Sequence, residues 1–401
     1  MKFVVAGYGS RGDVEPCVAV GRELLRRGHD VRIAVPPNML GFIEAAGLAS
    51  VAYGPNSQAV EGFRRDFAKI QNPITKVREA TEHITQVWAE KGTTLTELAD
   101  GADLLVAGIT EQGLAANVAE YYGIPFAAVH FYPMRILELQ GLDWRITKEA
   151  EYAHRRALGL PEATGASAQQ MVEGGSLEIQ AYDEFCLPGP AAEWVEPGGR
   201  RPFVGALTLE LPTDTDEEVL SWIAAGPPPI YFGFGSMKVT MPADTIAMIS
   251  AACAQLGERA LIESGPNDFT HLPRGEHVKI VDTLGQVAVF PACRAVVHHG
   301  GSGTTAAALR AGIPTLILFA FWLDQPIWAV AVEQLKVGSC RHFSTTTQES
   351  LVAVLSSILA PQYHTRAREV AAQMTKPAES LASAADLLED AARQGRSAEQ
   401  R

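Results

Sequence analysis

The chain has 401 residues, 47% apolar and 20% charged, the composition of a soluble globular enzyme large enough for two domains of roughly 200 residues each. A net charge of -13 without a basic cluster argues against nucleic acid as a partner, and five scattered cysteines, none in a C-x-x-C pair, argue against a disulfide framework or zinc site and for a reducing cytoplasm. No apolar run approaches about 18 residues and no charged-then-apolar signal segment precedes the first strand, so neither a membrane span nor export is expected.

Apolar strands alternate with amphipathic helices along the chain, and they do so twice, the pattern that builds parallel sheets flanked by helices. The first half offers strands over 2–7, 30–35, 50–54, 103–108 and 125–131. A helix between the first two carries Val14, Cys17, Val18, Leu24 and Leu25, mostly at spacings of three and four, and Gly28 closes it. The second half repeats the scheme over 229–236, 259–264, 278–282, 295–300 and 314–319. The expected class is α/β, with Rossmann-like domains over 1–207 and 229–375, a Pro- and acid-rich linker over 208–228, and a helix and tail over 376–401 packing back toward the first domain.

Residues 3–16, "FVVAGYGSRGDVEP", set Gly7, Gly9 and Gly12 in a G-x-G-x-x-G pattern after a strand. A dinucleotide site needs an acid near the end of the second strand, and "RIAVPPN" supplies none. The turn instead delivers Ser10, Arg11 and Asp13 to the carboxyl edge of the first strand, where open α/β sheets bind ligands. Asp13 reads either as a functional acid there or as the cap of a helix beginning near Val14. In "VVHHGGSGTTAAALRAGIPTLILFAFWLDQP", residues 296–326, Gly300, Gly301 and Gly303 accompany the start of a helix from Ser302 to Ala311. Free backbone N–H groups and the positive helix end make this an anion site. His298 or His299 adds a donor, expected to be protonated beside a diphosphate, and Asp324-Gln325 places an acceptor and an amide where a polyhydroxylated group could be gripped.

Together these motifs resemble the UDP-glycosyltransferase-like superfamily. "HHGGSGTTAAALRAGIPTL…DQP" looks like its nucleotide-sugar signature and "GSRGDVEP" like its bacterial N-terminal motif. The resemblance covers essentially the whole chain and is closest to actinobacterial enzymes that glycosylate glycopeptide antibiotics and to those that glycosylate mycobacterial glycopeptidolipids. It implies the GT-B fold, two facing Rossmann-like domains, with acceptor on the N-terminal domain and donor on the C-terminal one. It also implies inversion at the anomeric carbon without metal or cofactor, the nucleotide sugar being a co-substrate.

Carried over by position, Asp13 matches the general base that takes the acceptor hydroxyl's proton. Ser10 and Arg11 would sit beside the reacting centre or the phosphates. Ser236 matches a serine that bonds the donor diphosphate; His298, Gly300, Gly301, Ser302, Gly303 and Thr304 match the phosphate loop. "DTLGQ", residues 282–286, matches the turn that holds the base, with the Leu284 backbone facing it and Gln286 at its end. Asp324 and Gln325 match the pair that bonds the sugar hydroxyls.

The chain departs from the pattern in places. Thr283 stands where plant relatives stack a tryptophan on uracil, and Gly285-Gln286 replaces their Pro-Gln. Trp322 is expected to line the sugar pocket, and the stretch after Pro133 is shorter than in relatives. A glutamate that bonds both ribose hydroxyls is replaced by Ala306, which favours a thymidine diphosphate donor. On the acceptor side, Glu111 is a candidate support for Asp13 or an acceptor contact, or else a helix-dipole partner; His130 is either a cleft contact or core. Ile84, Val87 and Trp88 form a stripe read as core or acceptor wall rather than membrane anchor.

The expected activity is transfer of a hexose or deoxyhexose, rhamnose or 6-deoxytalose among them, to a hydroxyl of a lipopeptide or natural-product aglycone, with membrane contact only through a lipid acceptor. The alternatives are a nucleotide-sugar epimerase of the same fold and a catalytically inactive sugar-nucleotide-binding partner.

Overall fold

The computed structural model describes all residues except 59–72, 134–139, 164, 167–169, 171–172, 188–199, 270, 321–323 and 400–401. The chain forms two compact units, Met1–Leu209 with Pro377–Arg401, and Glu210–Lys376. Each is built on a six-stranded sheet, in the order β3-β2-β1-β4-β5-β6 and β12-β11-β10-β7-β8-β9.

In unit 1 the strands are β1 Lys2–Ala6, β2 Asp30–Val35, β3 Ser50–Ala52, β4 Leu104–Ala107, β5 Phe126–His130 and β6 Leu177–Gln180, every pairing parallel. Burial on both faces explains their near-continuous apolar composition. Val4, Ala6, Leu105, Ala107, Phe126 and Ala128 share one face with Trp88, Leu95, Leu114 and Val118 of the helices Pro73–Ala99 and Gln112–Tyr122. Trp88 and Ile84 are therefore core, as one of the two readings of that stripe had it.

Unit 2 holds β7 Ile230–Gly233, β8 Ala260–Glu263, β9 Val278–Val281, β10 Ala295–His298, β11 Thr315–Phe319 and β12 Gly338–His342, again all parallel. Alternation along β7 sends Ile230 and Phe232 into one core layer and Tyr231 into the other. The stretch expected to be a linker over 208–228 contains the helix Asp216–Ala224, whose Val219 and Ile223 pack against Tyr231 and Leu261. Most of it is thus a structural part of unit 2, because its apolar pair at i and i+4 has a core to join.

The last helix, Pro377–Glu399, belongs to unit 1. Its Leu388, Ala384, Ala385 and Ala392 are buried. Arg27 bridges Asp386 at 2.6 Å and Glu389 at 3.1 Å, and Glu389 also meets His29 at 3.0 Å. Among the described residues no helix is long and apolar enough to cross a membrane.

A polar pocket in unit 1 yields a pH prediction. His154, on the helix Gln140–Ala157, is buried beside Trp88 and Asn117, with Arg155 next to it and Glu120 paired to that arginine. Burial, then Arg155, pushes its pKa down to about 4. A histidine whose folded pKa lies below its unfolded value contributes nothing unfavourable above about pH 6.5, and costs stability as pH falls from there toward the folded value. Stability is expected to fall by on the order of 3 kcal/mol through this group between those limits. Urea unfolding of wild type and His154→Gln checks it: the variant's stability should be flatter over that window, and parallel curves would sink the assignment.

Candidate active site

In unit 1 the candidate residues lie in the turn from β1 into the helix Arg11–Arg26. That helix starts three residues earlier than expected, with Ser10 as N-cap at φ -78 and ψ 177, so Asp13 falls at the third helical position. Its Oδ2 accepts from the Ser10 backbone N–H at 2.7 Å and from the Ser10 hydroxyl at 2.8 Å, closing a capping box. The carboxylate leans back over Gly9, where φ is +137 and an added Cβ would lie 2.7 Å from Asp13 Cγ. Gly9 is therefore required by Asp13. A Cβ at Gly7 or Gly12 would meet nothing closer than 3.6 Å and 3.8 Å, so of the three glycines Gly9 is the one whose missing side chain makes room for this acid. Arg11 is half exposed, pairs with Glu15 at 2.8 Å and lies 5.0 Å over the Phe42 ring.

Glu111 and His130 lie inside the unit. Glu111 has no exposed surface; its oxygens accept from Lys91 Nζ at 2.7 Å and from the Tyr53 hydroxyl at 2.5 Å. Lys91 Nζ also lies 4.2 Å from the Tyr8 ring centroid. Burial, then Glu111, raises the Tyr8 and Tyr53 hydroxyls and brings the Cys17 thiol up to about 12, with Asp13 adding to the last. His130 is equally buried, 3.5 Å from Glu178, which Arg201 clasps at 2.9 Å. His130 takes the core reading, and Glu111 is a buried ion-pair partner, which neither of its expected roles as acceptor contact or helix-dipole partner described; neither residue presents a surface. The polar cluster of Tyr8, Tyr53 and Lys91 had no signal in the sequence beyond an isolated lysine on a helix.

In unit 2 the glycine-rich loop leads from β10 into the helix Ser302–Ala311, capped by Gly301. Its first N–H groups have no partner within the helix. Gly300, at φ +96, lies so close to the next strand's loop that an added Cβ would sit 2.8 Å from Ile317 Cγ2 and 3.2 Å from the Gln325 carbonyl. Only glycine lets the loop and Gln325 meet. His298 ends β10, 1% exposed, and its Nδ1 accepts from Gly300 N–H at 3.1 Å. That fixes Nε2 as the protonated nitrogen, and Nε2 has no partner among the described residues. Burial, then His299, holds His298 well below the usual histidine range, and burial pushes His299 down to about 4. Burial thus favours the neutral form of both rings, while the protonation expected beside a diphosphate concerns the occupied site. The His299 ring is wedged between Gly235 and Gly301.

Gln325 is buried, its Oε1 held by Ala320 N–H at 2.8 Å, and it begins with Asp324 the helix Asp324–Gln334. Ser236 is exposed in the turn beyond β7, which ends at Gly233. The Leu284 side chain is buried and its N–H points to Glu263 Oε1 at 3.4 Å. Gln286 Nε2 donates to Thr304 Oγ1 at 3.3 Å. The turn is braced from outside by Asp216, which accepts from Gly285 N–H at 2.7 Å, and by Thr215, which donates to the Thr283 carbonyl at 2.7 Å. Burial raises Asp216, but the bonds from Gly285 and Thr213 outweigh it and leave its pKa lowered. Trp322 and the stretch after Pro133 lie outside the described residues.

Two units, each a six-stranded parallel sheet flanked by helices, have the architecture of the GT-B class of glycosyltransferases. Comparison with known proteins agrees. Residues 3–138 match the glycosyltransferase family 28 N-terminal domain and 247–389 the erythromycin biosynthesis protein CIII-like C-terminal domain. An uncharacterized glycosyltransferase of Mycobacterium tuberculosis is 59% identical over 99% of this chain and 100% of its own. The vancomycin aglycone glucosyltransferase of Amycolatopsis orientalis is 30% identical over 98% of each. Among solved structures, the kitacinnamycin glycosyltransferase superposes at TM-score 0.71 with 19% identity, covering 97% of this chain and 98% of its own. The glycosyltransferase VinC, solved in complex with dTDP, superposes at 0.67 with 19% identity, covering 98% and 100%. The chain belongs to the glycosyltransferases of GT-B type.

Proposed function

We propose that this glycosyltransferase inverts the anomeric carbon without a metal, moving a hexose or deoxyhexose from a nucleoside diphosphate, thymidine preferred, to a hydroxyl of a lipopeptide or natural-product aglycone. The observation that carries the reading is Asp13, held by Ser10 at the carboxyl edge of β1 with Gly9 making room for it. Asp13 takes the acceptor proton as that oxygen attacks the anomeric carbon from the face opposite the diphosphate. The bond from the anomeric carbon to the diphosphate oxygen breaks, and its electron pair leaves with the nucleotide. The N–H groups that open the helix Ser302–Ala311, with His298 Nε2, receive that charge. The test is incubation with dTDP- and UDP-sugars and candidate lipid extracts or aglycones, with mass spectrometry for an added sugar. No transfer to any acceptor, or a retained anomeric configuration in the product, would overturn it.

His298→Ala is expected to weaken nucleoside diphosphate binding by about 1.5 to 3 kcal/mol, the worth of a hydrogen bond to a charged group. Calorimetry checks this, and unchanged affinity in a folded variant would move the contact to another residue.

The donor preference rests on Ala306, buried on the helix that carries the loop. It offers no acceptor to a ribose 2′-hydroxyl, so a 2′-deoxyribose forfeits less there. The VinC and SsfS6 structures hold dTDP and thymidine diphosphate, which supports the same choice. dTDP is expected to outcompete UDP by roughly 10-fold or more. Tighter UDP binding would sink the proposal, and a gain of UDP affinity in Ala306→Glu would support it.

A further inference from the structure

The base turn and the phosphate loop are joined by a chain of hydrogen bonds through the middle of the unit 2 sheet. Tyr231, on β7, is 1% exposed and packs on Phe290 with ring centroids 4.7 Å apart. Its phenol runs along the strand toward the carboxyl end, over Gly233, where an added Cβ would lie 2.6 Å from Tyr231 Cζ. The strand thus carries no side chain where the hydroxyl must pass. That hydroxyl donates to Glu263 Oε2 at the end of β8 and also contacts the Gln286 side chain. The other Glu263 oxygen accepts from Leu284 N–H at 3.4 Å, while Gln286 Nε2 donates to Thr304 Oγ1 at 3.3 Å. The path runs from the Leu284 backbone through Glu263, Tyr231 and Gln286 to the first turn of the helix Ser302–Ala311.

Burial of the Tyr231 hydroxyl accounts for its bond to Glu263, but not for the continuation of the path to Leu284 and Gln286. Glu263 is partly exposed at the carboxyl edge of the sheet, where water would satisfy it, and Leu284 is already anchored by its buried side chain. What the chain of bonds does fix is the spacing between two ligand-facing segments, from the inside, while Asp216 and Thr215 brace the turn from the outside.

We propose that Tyr231 and Glu263 are positioning residues for the donor nucleoside, holding the turn 283–286 at the distance from the phosphate loop that a nucleoside diphosphate spans. The proposal rests on the reading of unit 2 as the donor site. Hydrogen bonds of this kind act on binding by keeping the turn preorganised, so their loss appears only in ligands that use both segments.

The experiment measures dissociation constants of dTDP, UDP and inorganic pyrophosphate by calorimetry for wild type, Tyr231→Phe, Glu263→Ala and Glu263→Gln. Tyr231→Phe and Glu263→Ala are each expected to weaken the nucleoside diphosphates about 10-fold and to leave pyrophosphate within about 2-fold. Glu263→Gln keeps an oxygen for the Tyr231 hydroxyl and should lose less than Glu263→Ala. Unchanged nucleotide affinity in the folded variants overturns the proposal, as does an equal loss for pyrophosphate, which would mark general damage. If Glu263→Ala does not fold, Tyr231→Phe decides alone. Failure of wild type to bind either nucleotide overturns the donor-site reading itself and this inference with it.

Discussion

Lys91→Met is expected to destabilise the protein by about 3 to 5 kcal/mol in urea unfolding, the cost of leaving one member of a buried ion pair without its partner. Lys91 and Glu111 meet at 2.7 Å with side chains 6% and 0% exposed. The ammonium reaches its place with its stem over Gly54, where φ is +67 and an added Cβ would lie 2.6 Å from Lys91 Cγ. Removing the cation leaves the buried Glu111 carboxylate with the Tyr53 hydroxyl as its side-chain donor among the described residues, so either the charge stays at high cost or it takes up a proton. Glu111→Gln should cost less, since the amide still accepts from Tyr53. The double variant Lys91→Met/Glu111→Gln should recover most of the Lys91→Met loss, because no net charge is then buried. Two losses that simply add, or a Lys91→Met loss under about 1 kcal/mol, would show the pair to be no more than a surface-like contact. The cluster also bonds to the loop after β1, through the Tyr8 hydroxyl to the Pro55 carbonyl and Thr110 Oγ1 to the Tyr8 carbonyl, so its loss should loosen the turn that carries Asp13.

Ten of the twelve strands among the described residues were legible in the sequence, and the two that were not stand at the ends of their sheets. β6, "LEIQ", places Glu178 and Gln180 on the face that receives His130 and Arg201, so half its residues are polar for reasons of pairing. β12, "GSCRH", is an edge strand with only Gly338 fully buried, and it needs no apolar run because its partner β11 supplies one. β6 is buried, so partners rather than exposure account for its polar residues, whereas β12 is a half-exposed edge where burial no longer dictates composition. The glycine-rich loop was legible because its requirement is backbone: Gly300 must approach Gln325, and the next helix must open on N–H groups. The first helix starts three residues before the position expected from the sequence. Ser10 as N-cap and Asp13 three places on is a reciprocal cap that a search for Asp as the capping residue itself passes over. Glu111, His130, Tyr231 and Glu263 show the remaining limit. A single polar residue at a strand end looks the same in sequence whether its partner is a ligand or another buried side chain from a distant element, and only the register of neighbouring strands decides.

That same ambiguity is sharpest at Asp13, where the cap and the proposed base are one carboxylate, and the substitution that separates them is Asp13→Asn. The amide oxygen can still accept from the Ser10 backbone N–H, so the capping box loses little and stability should fall by about 1 kcal/mol or less. An amide cannot take the acceptor proton, so kcat should fall about 100- to 10,000-fold, the usual contribution of a general base. Nucleoside diphosphate affinity should stay near wild type, because the anion loop is carried by unit 2 and Asp13 by unit 1. Ser10→Ala supplies the converse: it removes one donor to Oδ2 and leaves the carboxylate in place, so it should cost stability like a lost cap yet spare most of the turnover. Three measurements decide the matter: single-turnover rates, urea stability, and calorimetric affinity for dTDP. An Asp13→Asn variant keeping more than about a third of wild-type kcat, far below the effect expected of a base, would leave Asp13 as a helix cap alone. A kcat loss matched by Ser10→Ala would instead assign the effect to the geometry of the turn.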